Sequence, residues 1–320
     1  MGMRIMRFPG GRAKALTFSY DDGVHPDRRL IDIFNKYGMK GTFNICSGRF
    51  APEGTVYPPE AISGALPKSE VYALFASSPH EVAIHGYTHQ YMTNLPTSQM
   101  VSEILDDRKN LEEMFGRRIT GGAYPYGNYN DDVVEALRLC GIKYCRTTVS
   151  TESFVIPTDW LRLPATCHHA NPRLMELADE FLESRIDRKV RLFYVWGHSY
   201  EFNQKQNWNV IEEFCEKMSG NDDIWYATNI EIYDYIEAYN RLEYFADGTK
   251  VYNPTLYELW VYQDGVTYKI PSGATVEIVD KLIVSEDRKT IENPSDITVW
   301  FHYNKKHHEI PAGKTVHIEE

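Results

Sequence analysis

Between residues 14 and 240, strand-like runs alternate with helical patterns, and this alternation most narrows what the chain can fold into. The strand candidates are residues 15–20, 41–45, 81–85, 122–126, 144–148, 191–196 and 224–227. Helix candidates lie between them at 28–37, 97–115, 130–139, 172–185, 210–218 and 229–239. The long pattern at 97–115 sets Met100, Ile104, Leu111 and Met114 near one face, and Gly116 can stop it. The last helix opens with Thr228-Asn229-Ile230-Glu231, a capping box. Alternating β and α over this length means a parallel sheet, open or closed into a barrel. Periodicity alone does not separate a barrel from a doubly wound sheet.

After about residue 241 the helical periodicity stops. Ile270-Pro271-Ser272-Gly273-Ala274-Thr275-Val276-Glu277-Ile278 returns as Ile310-Pro311-Ala312-Gly313-Lys314-Thr315-Val316-His317-Ile318. Trp260 and Trp300 precede the two copies at the same spacing. Two related hairpin units forming a small all-β domain account for this. The expected division is therefore 1–240 and 241–320, with polar residues 241–248 as a linker and the first part able to fold alone. Trp260 and Trp300 either fill the core of so small a domain or offer a sugar a stacking surface.

A chain of 320 residues, 42% hydrophobic, can bury a sizeable core. Its net charge of −11 argues against nucleic acid or an anionic membrane as partner. No run of about 18 apolar residues is present to span a bilayer. The segment Met1-Gly2-Met3-Arg4-Ile5-Met6-Arg7 lacks the apolar core of an export signal, and no Ser or Thr stands at position 6 for myristoylation. The expectation is a cytoplasmic protein as the chain stands, or an extracellular one if the N-terminus was trimmed. Five scattered cysteines suit a reducing compartment better than a disulfide scaffold; Cys140 and Cys145 read as core thiols, and Cys167 is a weak metal candidate.

Chemistry-bearing residues gather at the C-terminal ends of the strand candidates, where α/β sheets and barrels build their sites. Run 15–20 ends in Asp21-Asp22-Gly23, and run 81–85 ends in His85-Gly86-Tyr87-Thr88-His89. Two imidazoles and a carboxylate form a facial ligand set for a divalent metal, with positions left open for water or substrate. The second carboxylate is then free to move protons. Asp-Asp-Gly also suits an ordinary turn or helix N-cap.

Five segments, in order, resemble the motifs of the polysaccharide deacetylases (NodB-homology, carbohydrate esterase family four). They are Thr17-Phe18-Ser19-Tyr20-Asp21-Asp22-Gly23, His85-Gly86-Tyr87-Thr88-His89, Tyr124-Pro125-Tyr126-Gly127, Asp159-Trp160 and Trp196-Gly197-His198. The resemblance implies a distorted (β/α)7 barrel and hydrolytic removal of acetyl groups from an N- or O-acetylated sugar or oligosaccharide. It makes Asp21 the general base and Asp22, His85 and His89 the ligands of a divalent metal, zinc or else cobalt, nickel or manganese. It makes the Tyr126 N–H an oxyanion donor and His198 the general acid, with Asp159 orienting His198 and keeping it cationic. Pro125, Trp160 and Trp196 would wall a small acyl pocket.

Two departures stand out. The third motif carries an Arg two residues before its Pro, pairing with the catalytic Asp; here that position is Ala123. Arg146, at the end of the following strand candidate, or Arg162 would have to substitute. The fifth motif has Trp196 for Leu, which narrows the pocket. His168-His169 competes with His198 for the acid role. The alternatives are a hydrolase of non-sugar or cyclic amides on the same fold, and a non-catalytic carbohydrate-binding protein.

Overall fold

The computed structural model describes residues 4–184, 189–278, 282–303 and 306–318. The barrel strands are β2 (Lys14–Asp21), β3 (Gly41–Ile45), β4 (Glu81–Ile84), β5 (Gly121–Ala123), β6 (Tyr144–Ser150), β7 (Leu163–Ala165), β8 (Cys167–His168) and β9 (Arg191–Gly197). Every pairing among them is parallel, in the order β7-β6-β5-β4-β3-β2-β9-β8. β7 and β8 are one continuous stretch. Its first half pairs with β6 through Leu163 and Ala165, its second with β9 through Cys167 and His168. That stretch closes the ring as its seventh staves. β2 is buried along its whole length, as a strand covered on both faces must be.

Helices α1 (Asp27–Tyr37), α2 (Lys68–Phe75), α3 (Thr97–Phe115), α4 (Asp131–Leu139), α5 (Leu174–Glu183), α6 (Tyr200–Lys205), α7 (Asn209–Met218) and α8 (Asn229–Tyr239) fill the connections. α3 ends at Gly116, whose φ of 61° admits the left-handed cap. α8 carries the expected capping box between Thr228 and Glu231. The expected end of the fifth helix, at residue 185, lies outside the described residues.

The sequence reading differs from the barrel at three places. The stretch 163–168 was not expected as a strand, because Pro164 and its small length hide the pattern. The expected strand at 224–227 is β10 (Ile224–Tyr226), which lies beside the first three residues of β2 and is not a stave of the ring. β5 also ends at Ala123, earlier than expected, because Tyr126 turns the chain with φ 58°.

The C-terminal residues form two like units. The first holds β11 (Glu243–Tyr244), β12 (Lys250–Tyr252), β13 (Leu259–Gln263), β14 (Val266–Ile270) and β15 (Thr275–Glu277). The second holds β16 (Ile283–Val284), β17 (Thr290–Glu292), β18 (Val299–Tyr303), β19 (Lys306–Ile310) and β20 (Thr315–His317). Asn253 donates its amide hydrogens to the carbonyls of Tyr257, Ile270 and Pro271; Asn293 does the same to Ile297, Ile310 and Pro311. Buried Trp260 meets Trp300 edge-on at 4.7 Å, so it serves as core.

The N-terminal strand β1 (Arg4–Arg7) does not join the barrel. It pairs antiparallel with β13 and edges the sheet β1-β13-β14-β18-β19. The Tyr235 hydroxyl of α8 donates to Arg7 O at 2.6 Å and accepts from Trp260 N–H at 3.1 Å. One apolar cluster runs from Phe8, Leu163 and Leu192 to Leu259, Tyr268 and Phe301. This apolar cluster thus spans the division expected at residue 240.

Candidate active site

β2 delivers Asp21 and Asp22 to the C-terminal mouth of the barrel, and β4 delivers the loop of His85 and His89. Asp22 and His89 hold φ of 84° and 61°, and Tyr126 on the facing loop has φ of 58°. Left-handed non-glycine residues cost free energy and gather where the surroundings over-determine them. Here α3 supplies the clamp. Asp107 accepts from the backbone N–H of Ser47 (2.8 Å) and His85 (2.9 Å). One turn earlier, Glu103 accepts from Thr88 N–H at 2.8 Å and from the Thr88 hydroxyl. Burial pushes the Asp107 carboxyl up to about 7 despite these bonds.

His85 Nδ1 lies 2.9 Å from the Ala123 carbonyl. A carbonyl only accepts, so Nδ1 carries the proton and the Nε2 lone pair is free. That Nε2 lies 3.7 Å from Asp22 Oδ1, and His89 Nε2 lies 3.4 Å from the same oxygen. Asp22 Oδ1 is buried with no hydrogen-bond partner. An orphaned carboxylate oxygen facing two imidazole nitrogens, one of them fixed by a backbone carbonyl behind it, fits a divalent cation. Burial first, and then the neighbouring His85, draw the His89 pKa down to about 4, so its neutral, ligating form dominates near neutral pH.

Asp21 is 3% exposed, and both its oxygens are engaged. Asn44 Nδ2 donates to Oδ1 at 2.8 Å, and the Arg146 guanidinium pairs with Oδ2. Arg146 stands directly beside Ala123 in the β5–β6 register, and paired residues on neighbouring parallel strands face the same way. A guanidinium missing from one strand is thus supplied by the next. Arg146 also donates to Ser19 Oγ and lies over the Trp196 ring, its Cζ 4.4 Å from the centroid. Burial alone would raise the Asp21 pKa; the charges of Arg146, His85 and His198 outweigh it and hold the carboxyl down at about 2. His198 Nε2 closes the group, 3.7 Å from Asp21 Oδ2. Asp21, Asp22, His85, His89 and His198, with Tyr126, Trp196 and Tyr200, line a cleft of about 290 Å³.

Residues 9–145 match the sequence model of the family Polysaccharide deacetylase. Over that stretch the chain is similar to this family. Among curated proteins, the peptidoglycan-N-acetylmuramic acid deacetylase PdaC of Bacillus subtilis is 25% identical over 128 residues, covering 39% of this chain and 24% of PdaC. Chitin deacetylase 1 of Cryptococcus neoformans is 27% identical over 116 residues, 36% of this chain and 22% of that one. The chain thus spans about a quarter of the length of these relatives. A crystal structure of a Mycobacterium smegmatis protein assigned as a polysaccharide deacetylase superposes with a TM-score of 0.52 at 16% identity, covering 75% of this chain and 96% of that one. At that identity the likeness speaks for the NodB-type fold.

Within this cleft, some residues fall where the motifs lead one to look and others do not. Asp21, Asp22, His85, His89, Tyr126, Trp196, His198 and Arg146 converge, and Pro125 packs near Gly86 beneath the rim. Asp159 does not reach His198. It caps the turn at 160–162 and pairs with Arg162 at 3.0 Å, half exposed, so Arg162 is no partner for Asp21 either. Trp160 leaves the pocket and packs edge-on against Tyr233 of α8. Cys167 is buried, its thiol pushed up to about 12 by burial, and all five cysteines are free. Among the described residues, no helix is long and apolar enough to cross a membrane.

Three residues with direct partners in the site escaped the sequence reading: Asn44, Asp107 and Glu201. Asn44 left a signal, as an amide inside the apolar run Thr42-Phe43-Asn44-Ile45. Asp107 left one too, as a carboxylate on the buried face of α3. Glu201 left none, since an acidic residue in the first turn of a helix is ordinary.

Proposed function

We propose that this chain is a metal-dependent hydrolase that removes acetyl groups from an N- or O-acetylated saccharide. The observation that carries the reading is the convergence on one cleft of an orphaned carboxylate oxygen with two imidazoles, and beside them a second carboxylate paired to arginine. Asp22, His85 and His89 would hold a divalent ion, zinc being the best match to a two-nitrogen, one-oxygen set. When bound, such an ion supplies Lewis acidity and favours hydroxide over water near neutral pH.

The chain's own residues supply the rest. Asp21, held ionised chiefly by Arg146 and oriented by Asn44, accepts the proton of the attacking water. The strained turn at Tyr126 presents its backbone N–H to the developing oxyanion. His198, on the other side of Asp21, protonates the departing amine or alkoxide. Burial opposes its cationic form, but the Glu201 hydrogen bond and the Asp21 and Asp22 charges prevail and raise its pKa. Trp196 narrows the acyl side and locks Arg146 against its ring. Arg146 keeps the guanidinium of the third motif in function while moving its source by one strand, which favours retained acetyl-sugar chemistry over the loss implied by Ala123.

The test is acetate release from an N-acetylglucosamine oligomer, with and without prior chelation. Release that disappears on chelation and returns with zinc is expected. A chelated enzyme at full rate, or no release from any acetylated saccharide, would contradict the reading.

A further inference from the structure

Behind His198 stands Glu201, at the start of α6, with three histidines around one carboxylate. His198 Nδ1 lies 2.8 Å from Oε1, His168 Nε2 lies 3.2 Å from the same oxygen, and His169 Nε2 lies 3.5 Å from Oε2. Lys205 Nζ adds a contact at 3.4 Å. His168, His198 and Glu201 offer two nitrogens and an oxygen within 4.8 Å of one another, which is also a metal-like arrangement.

The proton inventory decides against a cation there. The Ala170 backbone N–H donates to His168 Nδ1 at 3.1 Å. That nitrogen must therefore carry the lone pair, which leaves the proton on Nε2, pointing at Glu201. A metal at His168 Nε2 would need the opposite tautomer and would set two N–H groups against each other. The carboxylate is already filled with donors, whereas Asp22 Oδ1 has none. The hydrogen bonds from the three histidines hold the Glu201 pKa down in spite of its burial.

Resting on the deacetylase reading above, we infer that Glu201 is the positioning residue of His198, taking the task the motifs give to Asp159. Its Oε1 accepts the His198 Nδ1–H and so turns Nε2 toward Asp21 and the leaving group. His168, its own tautomer pinned by Ala170, shares that oxygen and keeps the carboxylate from swinging away. His169, 2% exposed, closes the other side. Gly197 is what lets it in: a Cβ there would stand 2.0 Å from His169 Nδ1. The charged groups facing His198 are thus Glu201 from α6, Asp21 from the end of β2 and Asp22 just after it, and the imidazole of His168 from β8, with the Tyr200 phenol against its ring at 5.1 Å.

The experiment is a titration of 15N-histidine-labelled protein, full chain, in wild type and Glu201→Gln, alongside pH–rate profiles on an acetylated chito-oligosaccharide. His198 should be the Nδ1–H tautomer in the wild type and titrate above 6.5. In Glu201→Gln its titration and the basic limb of kcat/KM should fall together by about one unit or more, with metal content unchanged. Glu201→Asp, which keeps the charge, should recover part of the shift; it also serves if the amide variant folds poorly. Identical His198 titrations in wild type and both variants would overturn the inference. So would a second bound zinc lost with Glu201. A displaced titration with an unmoved rate profile would uphold the positioning and refute the acid role of His198 instead.

Discussion

Two sets of two histidines and one carboxylate stand on either side of Asp21, and they are built for opposite purposes. In the first, a backbone carbonyl accepts the Nδ1–H of His85, so the Nε2 lone pair and the unpartnered Asp22 oxygen face the same space. In the second, a backbone N–H takes the Nδ1 lone pair of His168, so Nε2 offers a proton to Glu201. The functional groups are the same; the peptide group behind each ring decides whether the set can receive a cation or only a hydrogen bond. A cluster of residue types is therefore not a metal site until the tautomers are accounted for.

The sharpest way to break this contrast is at Asp21, which lies between the two sets. Asp21→Asn should lower kcat by roughly 10²–10⁴-fold, the scale of a lost general base, with bound metal retained. Near-wild-type turnover would make Asp21 a structural residue only. His198→Ala should cost a similar factor, whereas His168→Ala should cost less than about tenfold, because it touches the carboxylate and not the leaving group. Equal losses from the two would show that the second set acts as one unit.

Arg146→Ala comes next. It strands a buried carboxylate, which costs on the order of 3 kcal/mol of stability. The sign follows from the depressed Asp21 pKa. Ionised Asp21 stabilises the fold above its unfolded pKa of 3.8, and that contribution is lost as pH falls toward about 2. Without Arg146 the folded pKa rises, so both the acid limb of activity and the acid unfolding midpoint should move to higher pH. An unaltered pH–rate profile in this variant would remove Arg146 from the role that Ala123 leaves open. The smallest effect belongs to Asp159→Asn. Its carboxylate meets Arg162 near the surface, so the rate should change by less than about threefold, an exposed pair being worth about 0–1 kcal/mol. A loss as large as that of Glu201→Gln would return the orienting role to Asp159.

A cut after residue 240 tests a different boundary. It removes the partners of β1 and leaves Phe8, Tyr235 and Leu163 without cover. The truncated chain should aggregate or melt without cooperativity; a soluble, cooperatively melting fragment would restore the simpler division into two independent parts.

The sequence was most informative where function demands rare combinations at strand ends. Asp21-Asp22-Gly23 and His85 with His89 marked the first set, and six of the seven expected strands are staves of the barrel. Legibility failed where a role depends on register or on a long-range contact. That Arg146 replaces the residue lost at Ala123 follows only from the pairing of β5 with β6. The closing stretch 163–168 lacks the length and alternation of a strand, and its pairing with two different neighbours is a property of the closed ring. Glu201 looks like any acidic residue at a helix start until β9 places His198 against it. The shared core across residue 240 was hidden because β1, four residues long, lies far in sequence from β13.

The measurement that bears most directly on the contrast is metal stoichiometry on purified full-length protein, by mass spectrometry of bound metals after reloading with zinc. One ion per chain is expected in the wild type and in Glu201→Gln, and none held tightly in Asp22→Ala. Two ions per chain, or one that survives Asp22→Ala and disappears with Glu201→Gln, would contradict the account and exchange the roles of the two sets.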